Sequence, residues 1–308
     1  MIAFLGMGLL GSNFVRAMRR RGTDAQGGGA SDGGPPDVNV WNRTPARARA
    51  LEGAGARAFD DPAEAVRGAT RVHLALSDDA AVDEVLERAL PGLAHGATDG
   101  VGRGVAIVDH TTCSPAGTAA RAKRWAERGF VFQHAPVFMG PQNALDRTGM
   151  MLASGDRAQF DELAPELAKM TGKVLYLGSQ PERAAAFKLF GNLFLMSMTA
   201  GIADLLALAK ALGVKPAEAA SLFESFNPGA TMGARMQRII AGDHGNPSWE
   251  LGMARKDARL MLEAAEAANV KLALVPAIAA EMDRWIALGH AHDDWTVIAK
   301  DALDTPGA

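Results

Sequence analysis

Through its first half the chain alternates short apolar runs with stretches whose apolar residues recur at helical spacing. Ile2–Leu5, Val38–Trp41, 71–76, 105–109, Val131–His134 and 174–177 read as strands. Strands separated by helices imply a parallel sheet. From about residue 181 the β-type runs stop, and the pattern predicts helices over 183–212, 216–226, 231–241, 251–269 and 275–288. The change of period places a domain boundary near Gly178, giving a 1–178 domain and a 179–308 domain. Residues 22–37 are rich in Gly, Asp and Pro. They carry too little apolar surface to fold as an element, and read as a flexible loop inserted between the first helix and the second strand.

Composition narrows the classes open to such a chain. Its 308 residues are enough for two separate cores. With 48% apolar and 22% charged residues it has the balance of a globular protein. No unbroken run approaches the roughly 18 apolar residues that define a membrane span, so no membrane is expected. Met1 leads straight into Ile2–Leu5 without a basic leader segment, which makes the cytoplasm the expected location. The lone Cys113 allows no intrachain disulfide and gives no zinc cluster; a buried, inert thiol is the expected reading, and no metal is expected. A formal charge of -3 with mixed signs offers nothing general to nucleic acid, which favours a small-molecule substrate.

The first strand runs directly into Gly6-Met7-Gly8-Leu9-Leu10-Gly11, which opens a helix through Phe14, Val15 and Met18. In that context each glycine has a physical task. Gly6 makes the tight turn, Gly8 lets a pyrophosphate approach the backbone, and Gly11 lets helix and strand pack closely. The helix N-terminus then presents N–H groups and a positive dipole end to the phosphates. The fold class this predicts is an α/β Rossmann-type N-terminal domain followed by an all-α C-terminal domain.

The end of the second strand separates the two nicotinamide cofactors, because a carboxylate there would bind the ribose diol and repel a 2′-phosphate. Here the residues are Trp41-Asn42-Arg43-Thr44. Arg43 offers a guanidinium able to pair with a phosphate and stack on adenine, with Asn42 and Thr44 adding donors, so NADP(H) is expected over NAD(H). A solvated surface arginine is the bland alternative for Arg43. The insertion places Asn42 about ten residues beyond the usual spacing of roughly 20.

Lys188 and Asn192 stand four apart on a predicted helix and share one face, which Leu195, Met196 and Thr199 continue. A lysine facing a cleft loses hydration, and its pKa falls towards the range useful for proton transfer. Arg255-Lys256-Asp257 forms a second polar cluster on another helix.

Five segments, in order, resemble the β-hydroxyacid dehydrogenase family, which includes 3-hydroxyisobutyrate dehydrogenases and semialdehyde reductases. The glycine loop is similar to the cofactor motif. Asp109-His110-Thr111-Thr112-Cys113-Ser114-Pro115 is similar to the strand end bordering substrate and nicotinamide, and His134-Ala135-Pro136-Val137-Phe138-Met139-Gly140 to the substrate-binding motif. Lys188 with Asn192 resembles the catalytic motif, and Lys256-Asp257 the basic motif near the cofactor.

The resemblance implies reversible hydride transfer between the nicotinamide and a hydroxy acid, semialdehyde or related carbonyl, with Lys188 as proton donor and acceptor and Asn192 orienting the substrate. It also implies that Thr112 and the Phe138, Met139 and Gly140 backbone contact the substrate, and that Leu76, Ser77, Thr112 and Lys256 border the cofactor. One departure stands out. Where the family commonly has Ser-Gly-Gly, this chain has Phe138-Met139-Gly140, losing a hydroxyl and adding two apolar side chains, so a more apolar substrate competes with a small hydroxy acid.

An imine reductase-like enzyme shares the fold and the Asn-Arg-Thr signature but usually lacks this lysine. A cofactor-binding scaffold without turnover typically loses it too, and a phosphogluconate dehydrogenase needs a longer, more basic second half. The helix over 183–212 could exceed 40 Å at about 1.5 Å per residue, longer than a small domain covers, which predicts a homodimer or a tetramer built from dimers.

Overall fold

A computed structural model describes residues 1–20, 36–94 and 105–303. The expected loop at 22–37 lies outside them apart from Pro36 and Asp37, both exposed. Strands β1 (Ile2–Leu5), β2 (Val38–Trp41), β3 (Arg57–Phe59), β4 (Arg71–Leu74), β5 (Ala106–Asp109) and β6 (Val131–His134) form one parallel sheet in the order β3-β2-β1-β4-β5-β6. Strand β1 shows why: Ala3 and Leu5 face one buried core and Phe4 the opposite one, as a strand covered by helices on both faces requires.

Three strands were not anticipated. β3 is a three-residue edge strand beginning on the exposed Arg57. β7 (Val137–Phe138) and β8 (Met150–Ala153) pair antiparallel, and β8 pairs parallel with β9 (Lys173–Tyr176). The expected strand at 174–177 therefore belongs to a second, three-stranded sheet and not to the parallel one. β8 escaped a reading based on β-branched residues because its sequence is Met-Met-Leu-Ala, and β7 is only two residues long.

Beyond β9 the chain is helical: Arg183–Ala211, Pro216–Ser225, Met232–Ala241, Leu251–Ala267 and Val275–Ala287, each within two residues of its expected limits, then a 3-10 segment at Trp295–Ala302. Contacts divide the chain into units Met1–Asn192 and Leu193–Ala308. The division falls inside helix Arg183–Ala211, later than the Gly178 change of period. Its first turns are tied to the second sheet, where the Ser154 hydroxyl accepts from the Ala184 N–H at 2.8 Å and donates to the Pro181 carbonyl at 3.1 Å. In the second unit Leu251, Ala254, Met282, Trp285 and Val297 form the core. There the Asp204 carboxylate accepts the N–H groups of Ala273, Leu274 and Val275 at 2.6, 2.8 and 3.1 Å, capping helix Val275–Ala287.

The expectation that nothing in the chain reaches membrane-spanning character needs correcting. Helix Arg183–Ala211 is long and apolar enough to cross a membrane by length and composition, with 11% of its most apolar window buried. Gly, Ser and Thr interrupt the apolar run without greatly lowering its hydropathy, so a search for unbroken apolar residues passes over it. Phe190, Leu193 and Met196 are 61, 67 and 69% exposed.

Candidate active site

The register of the parallel sheet assembles the glycine loop. Leu5 is paired with Trp41 on one side and Leu74 on the other, so β1, β2 and β4 end level. The strand order reverses about β1, which opens a crevice at the carboxyl ends of these strands. Gly6 sits at φ +103°, and a Cβ on it would lie 2.3 Å from the Ala75 carbonyl oxygen. A Cβ on Gly11 would meet the Gly6 carbonyl oxygen at 2.0 Å, whereas one on Gly8 would meet nothing within 4 Å. Turn, close packing and open approach are thus divided among the three glycines as the sequence predicted. Helix Leu9–Arg19 has Gly8 as N-cap with no side-chain cap, leaving its first-turn N–H groups directed at the crevice mouth.

A cleft of about 310 Å³ lies here, lined by Gly6, Gly8, Asn42, Arg43, Thr44, Leu76 and Ser77 among the expected residues. Asn42 has a task beyond the one assigned to it. Its Oδ1 accepts the Met7 N–H at 2.9 Å and one Nδ2 proton goes to the Thr44 carbonyl at 3.0 Å, so the amide locks the loop to the end of β2 and keeps its second Nδ2 proton to donate. Met7 is buried and serves through its backbone, while Leu9 is exposed and Leu10 half-buried beside it. Thr44 keeps its hydroxyl free of any cap bond.

Arg47, Glu84 and Val85 also line the cleft and were not anticipated. Pro45 starts a short helix at Pro45–Arg49, which carries Arg47 round to the side of Arg43. Among the described residues neither arginine has an ion-pair partner, whereas the neighbouring Arg49 is 2.7 Å from Asp60. The four-residue spacing of Arg43 and Arg47 beyond a strand end was the available signal.

Behind the crevice lies a buried polar relay. Glu166 accepts from Arg71 at 3.1 Å, and Arg71 Nε donates to His73 Nε2 at 2.9 Å. His73 Nδ1–H must then donate to His110 Nε2 at 2.9 Å, and His110 Nδ1–H to the Ala135 carbonyl at 2.7 Å. Both rings are neutral: burial holds His73 well below the usual range, aided by His110 and Arg71, and pushes His110 down to about 4.

Cys113 is buried, and burial followed by the Asp109 charge pushes its thiol well above the usual range. Donor atoms of Asp109, Cys113 and His134 lie within 4.8 Å of one another. Their bonds are internal, except that the buried His134 Nδ1 has no hydrogen-bond partner among the described residues. Asp109 accepts the Thr111 N–H at 2.9 Å and the Cys113 thiol at 3.7 Å and faces Arg121 at 4.0 Å, while His134 Nε2 bonds the Thr111 carbonyl. Thr111, within the expected strand-end segment, accepts the Leu76 N–H at 3.0 Å and joins the ends of β4 and β5. Thr112 is exposed and lies outside the lining of the cleft.

The second cluster forms where the second sheet meets the long helix. The Lys188 ammonium lies 4.2 Å from the centroid of the Phe138 ring, and burial lowers its pKa from the ordinary lysine value. Among the described residues Lys188 has no ion pair, and the half-buried Asn192 amide, one turn on, makes no hydrogen bond. Between them, a Cβ on Gly191 would lie 2.2 Å from the Phe138 ring. Met139 packs against the core, and the Gly140 N–H donates to Asn143 Oδ1 at 2.9 Å. Asn143 is held in turn by its Nδ2, which donates to Thr148 Oγ1 at 3.0 Å. Lys256 belongs to the second unit, where its ammonium is 2.8 Å from Asp257 Oδ1, and Arg255 pairs with Asp283 at 2.7 Å.

A glycine loop at the reversal point of a parallel sheet, with a half-buried lysine in the same unit, defines the class of pyridine-nucleotide-binding oxidoreductases. Residues 1–178 match the NAD binding domain of 6-phosphogluconate dehydrogenase, and residues 183–301 match the NAD-binding region of NADP-dependent 3-hydroxyisobutyrate dehydrogenase. The chain belongs to this 6-phosphogluconate and 3-hydroxyisobutyrate dehydrogenase family of NAD(P)-dependent enzymes.

Among its relatives, glyoxylate/succinic semialdehyde reductase 2, chloroplastic, of Arabidopsis thaliana is 30% identical over 216 residues, covering 70% of this chain and 55% of that protein. The 2-(hydroxymethyl)glutarate dehydrogenase of Eubacterium barkeri is 24% identical over 300 residues, covering 97% and 93%. Among solved structures, an imine reductase of Streptomyces aurantiacus superposes with a TM-score of 0.83 at 25% identity, covering 98% of this chain and 99% of that one.

Proposed function

We propose that the chain catalyses reversible hydride transfer between NADP(H) and a carbonyl–alcohol pair, a hydroxy acid, semialdehyde or related carbonyl, with Lys188 as the proton donor and acceptor. The observation that carries this reading is Lys188 itself: a half-buried lysine without a carboxylate partner among the described residues, its pKa lowered by burial, one turn from a free amide. The residues fit the cofactor, since Gly8 leaves open space over the loop and no carboxylate stands at the end of β2. When bound, the nicotinamide supplies or accepts the hydride. Lys188 gives its proton to the carbonyl oxygen during reduction and takes it back during oxidation, and the Asn192 amide orients that oxygen. Arg43, with Arg47 beside it, supports a preference for the 2′-phosphorylated cofactor.

An imine reductase activity is the second reading, favoured by the Streptomyces aurantiacus structure. Lys188 argues for the carbonyl, because an ammonium is a ready donor to a developing alkoxide. The apolar, exposed face of helix Arg183–Ala211 supports a homodimer or a tetramer built from dimers, covered by a second copy. The decisive experiment is an NADPH-consumption screen across semialdehydes, glyoxylate-type acids, apolar ketones and cyclic imines, with wild type and Lys188→Ala. Carbonyl reduction dependent on Lys188 is expected; an imine turned over equally well by both proteins would replace this reading with the second.

A further inference from the structure

We propose that Phe138, together with the Asn143 lock on Gly140, closes the turn after β7 to carboxylates and confines the substrates of this chain to neutral carbonyl compounds with an apolar flank. The inference rests on the proposed role of Lys188 and specifies the substrate class that this lysine serves.

Two kinds of donor could hold a carboxylate at this turn, a side-chain hydroxyl or a backbone N–H, and two of them are withdrawn. Position 138 carries a phenyl ring. The Gly140 N–H is occupied by Asn143 Oδ1 at 2.9 Å, and Thr148 fixes that amide from behind. The ring is also more than a missing hydroxyl. Its face, rich in π-electron density, attracts the Lys188 ammonium at 4.2 Å and by the same sign repels a carboxylate brought beside that ammonium. A carboxylate that paired with Lys188 instead would hold the proton donor at the wrong oxygen.

The arrangement is built into the backbone. Gly191 lacks a Cβ where one would lie 2.2 Å from the ring, so helix Arg183–Ala211 makes room for Phe138 between Lys188 and Asn192. Phe138 is thus a positioning residue for Lys188 and a selectivity residue for the substrate. Met139 extends the apolar surface next to it.

The test compares kcat/KM with NADPH for butanal and succinic semialdehyde, two four-carbon aldehydes that differ by a terminal carboxylate. Wild type is expected to favour butanal by tenfold or more. Phe138→Ser is expected to move that ratio at least tenfold towards the acid, and Asn143→Ala, which frees the Gly140 N–H, to move it several-fold the same way. Phe138→Leu, apolar but without the ring, is expected to move the ratio towards the acid by only a few-fold, less than Phe138→Ser, because it removes the ring's repulsion without supplying a donor.

A wild type that prefers succinic semialdehyde, or ratios unchanged in both Phe138→Ser and Asn143→Ala, overturns the proposal while leaving the role of Lys188 standing. If neither aldehyde is turned over, the titration of Lys188 still decides. After reductive 13C-methylation, its NMR signal, assigned with Lys188→Arg, should titrate lower in Phe138→Leu than in wild type, and an unchanged midpoint overturns the ring's hold on the ammonium.

Discussion

The glycine loop after β1 and the turn after β7 both depend on residues that leave room, but what fills the room differs. At Gly6 and Gly11 the neighbours are backbone carbonyl oxygens, which cannot move without moving the sheet. At Gly191 the neighbour is the far end of a Phe138 side chain, which can turn. The first region is therefore held by the backbone of the sheet, whereas the packing of the second can change with single substitutions. On the reading proposed above, the cofactor site is the rigid part of this molecule and the turn at Phe138 the adjustable one.

Five experiments would break or sharpen that contrast. Lys188→Ala should lower kcat for the best carbonyl substrate by about 10²–10⁴-fold and leave NADPH affinity, read by fluorescence titration, unchanged; a simultaneous loss of affinity would show that the two regions are not separable. For wild type, reduction should slow as pH rises through the lowered Lys188 pKa, because the ammonium is the acid, and oxidation should show the opposite limb.

Acid should weaken the parallel sheet that carries the glycine loop. The folded protein keeps His73 and His110 neutral while the unfolded chain takes up protons below about pH 6.5. Stability is thus undiminished above that pH and falls as pH drops towards 4, by on the order of 3 kcal/mol for His110 alone. Urea midpoints measured from pH 7.5 to 4.5 give the slope, and a flat profile would remove the neutral relay.

Next in size, Gly11→Ala should destabilise the fold by roughly 1–3 kcal/mol, while Gly8→Ala keeps the wild-type Tm and weakens only dinucleotide binding. Equal Tm losses would mean that the open space over Gly8 has no special place in binding. Smallest, Arg43→Ala should cut the NADPH over NADH preference about tenfold, with Arg47 retaining the remainder. An unchanged ratio would move cofactor choice away from the end of β2.

The loop was readable in the sequence because its requirements are local: a strand, three glycines at fixed offsets and a helix. The strands flanking it were readable for a related reason, being apolar runs buried on both faces. β8 was not, since Met150 and Met151 carry no β-branched signal, and β9 was found but placed in the wrong sheet, because pairing partners are not encoded locally. Asn42 was found as a residue, but its part in locking the glycine loop to the end of β2 was not, since only the folded loop shows both ends of its amide engaged. The departure at Phe138 was visible; its ring beneath the Lys188 ammonium depends on a contact across 50 residues of chain, between Phe138 and Lys188. The spanning-length apolar helix was missed because interruptions by small polar residues cost little hydropathy.

The His73–His110 relay also provides a clock. Its two ring N–H protons, one shared between the imidazoles and one donated to Ala135, lie in an interior from which water is excluded. They can exchange with solvent only when the parallel sheet opens. Followed in heavy water, their NMR signals would report how often the dinucleotide-binding unit comes apart, from inside its core and without a label.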